Sequence, residues 1–237
     1  MDMTQDYDYA VSVLQDLGYT IAEASKIIEV IKQGNYAFPC KKAESVDLSK
    51  QHIWMQDECT GIDVPVLWKP NQVESSKTII LLAQDPLRDN DYWDYSKEEI
   101  QHNKHVIIGT PYALHISEET KRTLVGTKQK SKRYNVGVYR RIIEALCMRD
   151  YKVYCTDIFK YYMRNTPCEE VSNFDVEIFT NEYKRIDPVK IIAMGKSAQA
   201  AVAKLQIEQN KIISVLHPKA RPQRTTEQIV TEIISKL

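Results

Sequence analysis

A chain of 237 residues can bury a full hydrophobic core, and it fits one α/β domain with an appendage better than two equal domains. Acidic and basic side chains balance at 32 each, which argues against an undifferentiated basic nucleic-acid binder, and no apolar run is long enough to span a bilayer. The five cysteines, Cys40, Cys59, Cys147, Cys155 and Cys168, include no Cys-x-x-Cys pair, so free thiols in a reducing compartment are expected, with no zinc or iron–sulfur site.

The amino terminus is acidic and lacks the basic and apolar regions of a secretory signal, so a cytoplasmic location is expected. Residues 4–17 place Tyr7, Ala10, Val11 and Leu14 at helical spacing, and Gly18 suits a left-handed stop. Thr20 and Glu23 form a capping-box pattern ahead of a second helix through Ile27, Ile28 and Ile31 to Gly34. This hairpin is acidic, so it reads as packing or as a surface for a protein partner, not as a groove-reading module. Residues 35–71 are irregular, with strand-like pieces at 52–55 and 64–68 that lead across an edge of the main sheet. The expected division is therefore a helical hairpin and lead-in over 1–70, packed on an α/β domain over 71–237.

Residues 78–83 form a short apolar run with β-branched members, the pattern of a strand buried on both faces of a parallel sheet. The chain then turns polar at Gln84, Asp85 and Pro86. Pro86 cannot continue a ladder and biases Asp85 to an extended conformation, which mounts the carboxylate at the strand's carboxyl end. A polar, aromatic segment follows over 89–104, then an apolar piece at 106–108 ending in Gly109-Thr110-Pro111-Tyr112, then a polar, basic loop over 117–135. From there the alternation is regular. A helix carries Val138, Ile142, Ile143 and Leu146; a strand covers 152–158, a helix 174–186 and a strand 189–194. A helix opens at Gly195-Lys196-Ser197 and runs to Leu205, a last strand covers 212–216 and ends at His217-Pro218, and a helix closes the chain over 227–237. This β-α-β-α order predicts right-handed crossovers and a mostly parallel sheet with helices on both faces. Three strands then deliver Asp85, Asp157 and His217 to one edge, where two acids and a histidine suit polar chemistry in a cleft.

Charge is uneven along the chain. Residues 1–60 carry ten acidic and five basic side chains, so with 32 of each overall the remainder carries 22 and 27. Two basic clusters stand out, Lys128, Lys130, Lys132 and Arg133, and Lys219, Arg221 and Arg224; either is a solvated face or part of a surface that follows a phosphate backbone. Gly195-Lys196-Ser197 is not a phosphate loop, because Lys190 stands where that motif needs its first glycine. With no Gly-x-Ser-x-Gly and no Gly-x-Gly-x-x-Gly, a lipase-type hydrolase and a dinucleotide enzyme are also disfavoured.

Five segments in order, Ala83-Gln84-Asp85-Pro86, Gly109-Thr110-Pro111-Tyr112, Tyr154-Cys155-Thr156-Asp157-Ile158-Phe159-Lys160, Met194-Gly195-Lys196-Ser197-Ala198 and His217-Pro218, resemble the uracil-DNA glycosylase superfamily over about residues 78–222. The resemblance implies a three-layer α/β sandwich, with an amino-terminal helical extension, that flips a uracil or related pyrimidine out of DNA and hydrolyses its N-glycosidic bond in base excision repair. It implies that Asp85 positions the attacking water and stabilises the cationic sugar, while His217 hydrogen-bonds the departing base. Substrate contacts fall to Gln84, Leu87, the aromatic Tyr112 or, in another alignment, His115, and Asp157 at the base edge. Gly195, Lys196, Ser197, Pro218 and Lys219 would hold phosphates, and Arg221 stands where a side chain wedges into the duplex. A monomer without metal or cofactor is expected.

Departures from the family pattern shape the expected specificity. Ala83 replaces a usual glycine, and Leu87 and Arg88 replace a tyrosine and histidine, which leaves exclusion of thymine's methyl group open. Asp157 replaces an asparagine. An ionised carboxylate only accepts hydrogen bonds, which suits cytosine's exocyclic amine and repels O4 of uracil; a protonated one regains a donor and mimics the amide. Two other classes are consistent with the same residues: a catalytically silent glycosylase-fold protein that binds nucleic acid or a protein partner, and a small-molecule hydrolase on a similar sheet.

Overall fold

The computed structural model describes residues 3–32, 37–39, 59–71, 77–84, 104–106, 136–163, 171–218, 220 and 224–237. Four strands form the parallel heart of a six-stranded sheet: β5 (Thr78–Ala83), β7 (Lys152–Asp157), β9 (Lys190–Met194) and β10 (Ile212–Val215). Two antiparallel strands from the amino-terminal part, β1 (Met3–Asp6) and β4 (Val66–Pro70), complete it in the order β1-β4-β7-β5-β9-β10. Small antiparallel ribbons pair β2 (Ala37–Pro39) with β6 (Lys104–Val106), and β3 (Cys59–Ile62) with β8 (Tyr161–Met163). The central mostly parallel sheet with flanking helices is the architecture expected from the strand and helix periodicities.

The alternation of side chains along the strands divides the core in two. Ile79, Leu81, Val153, Cys155, Ile192, Met194, Ile213 and Val215 meet α3 (Val136–Cys147) and α6 (Thr226–Ser235) on one face. On the other, Ile80, Leu82, Tyr154, Ile191 and Ala193 meet α4 (Asn173–Ile186) and α5 (Lys196–Lys204). Residues Ile79 to Ala83 are therefore completely buried, and each large one contributes about 1.5–3 kcal/mol. Cys147 and Cys155 are buried free thiols, and burial pushes the Cys147 thiol up to about 12.

The amino-terminal helices are α1 (Asp8–Asp16) and α2 (Ile21–Lys32), with α1 packed on α2, β4 and α4. Their joint follows the expected chemistry. Gly18 has φ +90°, the backbone N–H of Thr20 donates to Glu23 Oε2 at 2.8 Å, and that of Glu23 returns to Thr20 Oγ1 at 3.4 Å. The first helix does not begin at residue 4, however. Met3–Asp6 are drawn into pairing along β4, whose edge they cover, and Asp6 Oδ1 accepts from the Asp8 N–H at 2.8 Å to turn the chain into α1. The strand-like piece at 64–68 is realised as β4; the piece at 52–55 and the segments 89–103 and 117–135 lie outside the described residues.

Candidate active site

Read in chain order, the parallel strands β7-β5-β9-β10 run second, first, third, fourth. The connection after β5 leads to β7 on one side and the one after β9 leads to β10 on the other, so the strand order reverses between β5 and β9, the place where a crevice forms beyond their carboxyl ends. Gln84 follows β5 and Ser197 lies in the first turn of α5, directly after β9. Ser197 Oγ donates to Gln84 Oε1 at 2.9 Å and so bridges that crevice. Lys196 is exposed beside it, at a helix start whose first N–H groups have no partner within the helix.

Gly195 connects β9 to α5 with φ +87° and ψ 174°, a region that only glycine occupies readily. Its N–H donates to the Val215 carbonyl at 2.8 Å, which holds the ends of β9 and β10 together. A Cβ at this position would lie 3.2 Å from Cβ and 3.6 Å from Cδ2 of His217, so the glycine is what lets the histidine approach the loop. Gln199 Nε2 adds a bond to the Val215 carbonyl at 2.9 Å, and Pro218 is buried next to the half-buried His217.

On the opposite side of β5, β7 ends at the fully buried Asp157. Alternation from Val153 and Cys155 puts its side chain on the α3 face, and its charge, after burial, helps hold the Tyr139 phenol of α3 far above its ordinary range. The Ile158 N–H continues to the Ala83 carbonyl at 2.9 Å, so β5 and β7 stay joined to the very rim.

Behind that rim lies a buried polar cluster. Lys160 Nζ stands 2.9 Å from Asp63 Oδ2, 2.7 Å from Glu182 Oε2 and 2.8 Å from Thr156 Oγ1, and none of the three charged side chains has measurable exposure. Tyr154 donates its hydroxyl to Glu182 Oε1 at 2.8 Å. Burial draws the Lys160 ammonium down, but Asp63 and Glu182 outweigh it and hold the group above its usual range. Burial raises Glu182 above the usual carboxylate range despite the ammonium.

Of the site residues expected from the sequence, Gln84, Asp157, Gly195, Lys196, Ser197, His217 and Pro218 fall along this one edge. Asp85, Leu87, Tyr112, His115, Lys219 and Arg221 lie outside the described residues. Sequence reasoning gave no role to Asp63, Thr156, Lys160 or Glu182. A signal for Glu182 was present: it falls in the series Phe174, Ile178, Glu182, Ile186, where the 3.6-residue period puts it on the buried face of α4. A charge at such a position demands a buried partner.

No curated protein matches this chain significantly. The profile of the Uracil DNA glycosylase superfamily matches residues 95–237, more than half of the chain and including the ends of β7, β9 and β10. The chain belongs to the Uracil DNA glycosylase superfamily.

Proposed function

We propose that this protein is a DNA base glycosylase that extrudes a modified pyrimidine and hydrolyses its bond to deoxyribose. The observation that carries the reading is the gathering of Gln84, Gly195, Ser197 and His217 at the crevice between β5 and β9, with Asp157 at the end of β7 on the other side of β5 along the same sheet edge, in a chain of this superfamily. Asp85, next to Gln84, aligns a water and stabilises the positive charge that builds on the sugar as the bond to the base lengthens. The water oxygen bonds to C1′ and passes its proton to Asp85 and on to solvent, and the base departs with the electron pair of the broken bond. His217 donates a hydrogen bond to the base oxygen that gains this charge, and pre-aimed donors of this kind supply a large part of such rate enhancements. Lys196 and the start of α5 hold a phosphate.

Asp157 reads the base edge in this proposal. Its carboxylate, if ionised, selects an exocyclic amine; if protonated, it pairs with uracil as an amide does. The deciding experiment is release of free base from oligonucleotides carrying uracil or amino-bearing modified pyrimidines, across pH, for the wild type and Asp157→Asn. The reading expects release of at least one of these bases and a change of preference in the variant. DNA binding that weakens with salt, without release of any base, would identify a silent binder instead. An unchanged preference and pH profile in Asp157→Asn would remove Asp157 from the base edge.

A further inference from the structure

We propose that Asp63 is a positioning residue for Asp157, and that the buried Lys160–Thr156–Glu182 cluster exists to hold Asp63 in that task. The inference rests on the base-reading role of Asp157 proposed above. Asp63 Oδ2 receives the Asp157 N–H at 3.1 Å, the Thr156 hydroxyl at 2.8 Å and Lys160 Nζ at 2.9 Å. One carboxylate oxygen thus anchors the backbone of Asp157 at the point where β7 has its last registered pair with β5, Ala83 with Asp157. Asp63 is itself held through its own backbone, since its N–H donates to the Lys160 carbonyl at 2.9 Å. This bond extends the β3–β8 ladder beyond its Ile62–Tyr161 pair. Strand β7 and the chain after it are therefore clamped from two sides, at Asp157 and at Lys160, by one residue.

Counting protons shows how the cluster is kept in a single arrangement. Thr156 Oγ1 lies 2.8 Å from Asp63 Oδ2 and 2.7 Å from Glu182 Oε1, yet a threonine hydroxyl carries one proton. Lys160 Nζ donates to Asp63 Oδ2 and Thr156 Oγ1 and stands 2.7 Å from Glu182 Oε2 as an ion pair. A hydrogen bond across both short oxygen–oxygen distances needs a further proton, and the proposed arrangement puts it on Glu182, which burial shifts toward its neutral form. Neutral Glu182 then donates to Thr156, and Thr156 donates to Asp63. Lys160 and Asp63 remain as a balanced ion pair, and each hydroxyl has one direction in which to point. A network with one proton arrangement transmits a fixed geometry to Asp157, which touches the substrate, although Asp63, Thr156, Lys160 and Glu182 touch none.

Asp63 also lies outside the residues matched to the superfamily, whereas Thr156, Lys160 and Glu182 lie within them. The amino-terminal part of the chain thus supplies a member of the site's support. The Asp63 Oδ1 atom has no hydrogen-bond partner among the described residues, so an asparagine can place its oxygen where Oδ2 sits and its amide where Oδ1 sits.

The test compares Asp63→Ala, Asp63→Asn and Thr156→Val in the full chain, with single-turnover base release, DNA affinity and thermal unfolding measured on each. Displacement of a reading group by about an ångström costs on the order of a hundredfold in rate. Asp63→Ala is expected to lose base release by about that factor while DNA affinity stays within about twofold. Asp63→Asn recovers most of the rate, because the oxygen that accepts the Asp157 N–H is restored. Thr156→Val, of nearly the same shape, keeps the fold and lowers the rate, and it carries the test if Asp63→Ala does not fold. Wild-type rates and base preference in Asp63→Ala, or in Thr156→Val where the alanine variant does not fold, overturn the inference alone. Equal loss of rate, DNA affinity and folding in all three variants overturns it as well, because a purely structural role then accounts for the cluster. A wild-type protein that releases no base from any substrate tested overturns the glycosylase reading and this inference together.

Discussion

Replacing Gly195 by alanine tests the geometry of the crevice directly, because two independent costs fall on one methyl group. The backbone there, at φ +87° and ψ 174°, belongs to a region that residues with a side chain occupy at a cost of about 1–3 kcal/mol. The added methyl would stand 3.2 Å from His217 Cβ, closer than carbon atoms pack without adjustment, so either the loop or the histidine must shift by a few tenths of an ångström. Loop movement strains the Gly195 N–H bond to the Val215 carbonyl, which ties β9 to β10. The expected total is a loss of about 1–3 kcal/mol, or roughly 2–4 °C in melting temperature per kcal/mol for a chain of this size. A shift of His217 toward an ångström lowers base release by up to about a hundredfold. Denaturant unfolding and single-turnover release on the same preparation measure both. Gly137→Ala is the control: nothing lies within 4 Å of a Cβ there and the residue is in α3, so alanine should stabilise by up to about 1 kcal/mol. Wild-type stability and rate in Gly195→Ala would refute both the backbone argument and the closeness of His217 to the reacting base.

Asp85→Asn and His217→Ala should each lower base release about a hundredfold to a thousandfold without changing the unfolding transition, as expected where groups stabilise developing charge; full activity in both on a confirmed substrate would remove them from the mechanism. Lys160→Met should cost about 3–5 kcal/mol in denaturant unfolding, since it leaves the buried Asp63 carboxylate without its ammonium partner; a cost below about 1 kcal/mol would mean that the cluster is not buried in solution. Burial raises Glu182, so the native state keeps a proton that the unfolded chain releases. Its contribution to stability is complete below the unfolded carboxyl pKa and declines as pH rises through the folded one, by up to about 1.4 kcal/mol per pH unit. Asp175, also raised by burial, contributes with the same sign. Glu182→Gln, which supplies the donor without a titrating proton, should leave only the Asp175 part of that slope; a slope equal to wild type would place the proton elsewhere.

The parallel heart of the sheet was legible in the sequence because its strands are short apolar runs and its helices carry a 3.6-residue period. Both signals come from burial, and burial is what the fold delivers at Ile79–Ala83 and at Ile178, Phe179 and Ile186. Gly18, Thr20 and Glu23 were legible for a local reason, since turn and cap chemistry involves residues within a few positions of one another. The edge strand β1 was not, because Met-Thr-Gln-Asp has no apolar alternation and its strand state comes from pairing with residues more than sixty positions away. Asp63 was hidden for the same reason. Nothing near it in the chain distinguishes it from a turn aspartate, and its partners Thr156, Lys160 and Glu182 are brought to it only by the finished sheet. The gathering of Gln84, Gly195, Ser197 and His217 could be placed from strand order alone; the Ser197–Gln84 bond and the contact that excludes a side chain at position 195 could not.

The composition of the buried cluster bears on why it is there at all. A lysine, an aspartate and a glutamate lose several kcal/mol each on leaving water, and apolar side chains of similar volume often replace such groups without loss of stability. Packing β7 against α4 therefore does not require them; Leu82, Tyr154, Phe179 and Ile186 already supply an apolar contact on that face. What an apolar replacement cannot supply is an acceptor for the Asp157 N–H, on the side of β7 where the ladder with β4 ends at the Val66–Cys155 pair. The acceptor supplied there is a carboxylate, which needs the ammonium of Lys160, and burial pushes Glu182, the second carboxyl at the same ammonium, toward its neutral form. Each member of the cluster follows from the one before it, and the sequence of requirements starts at Asp157.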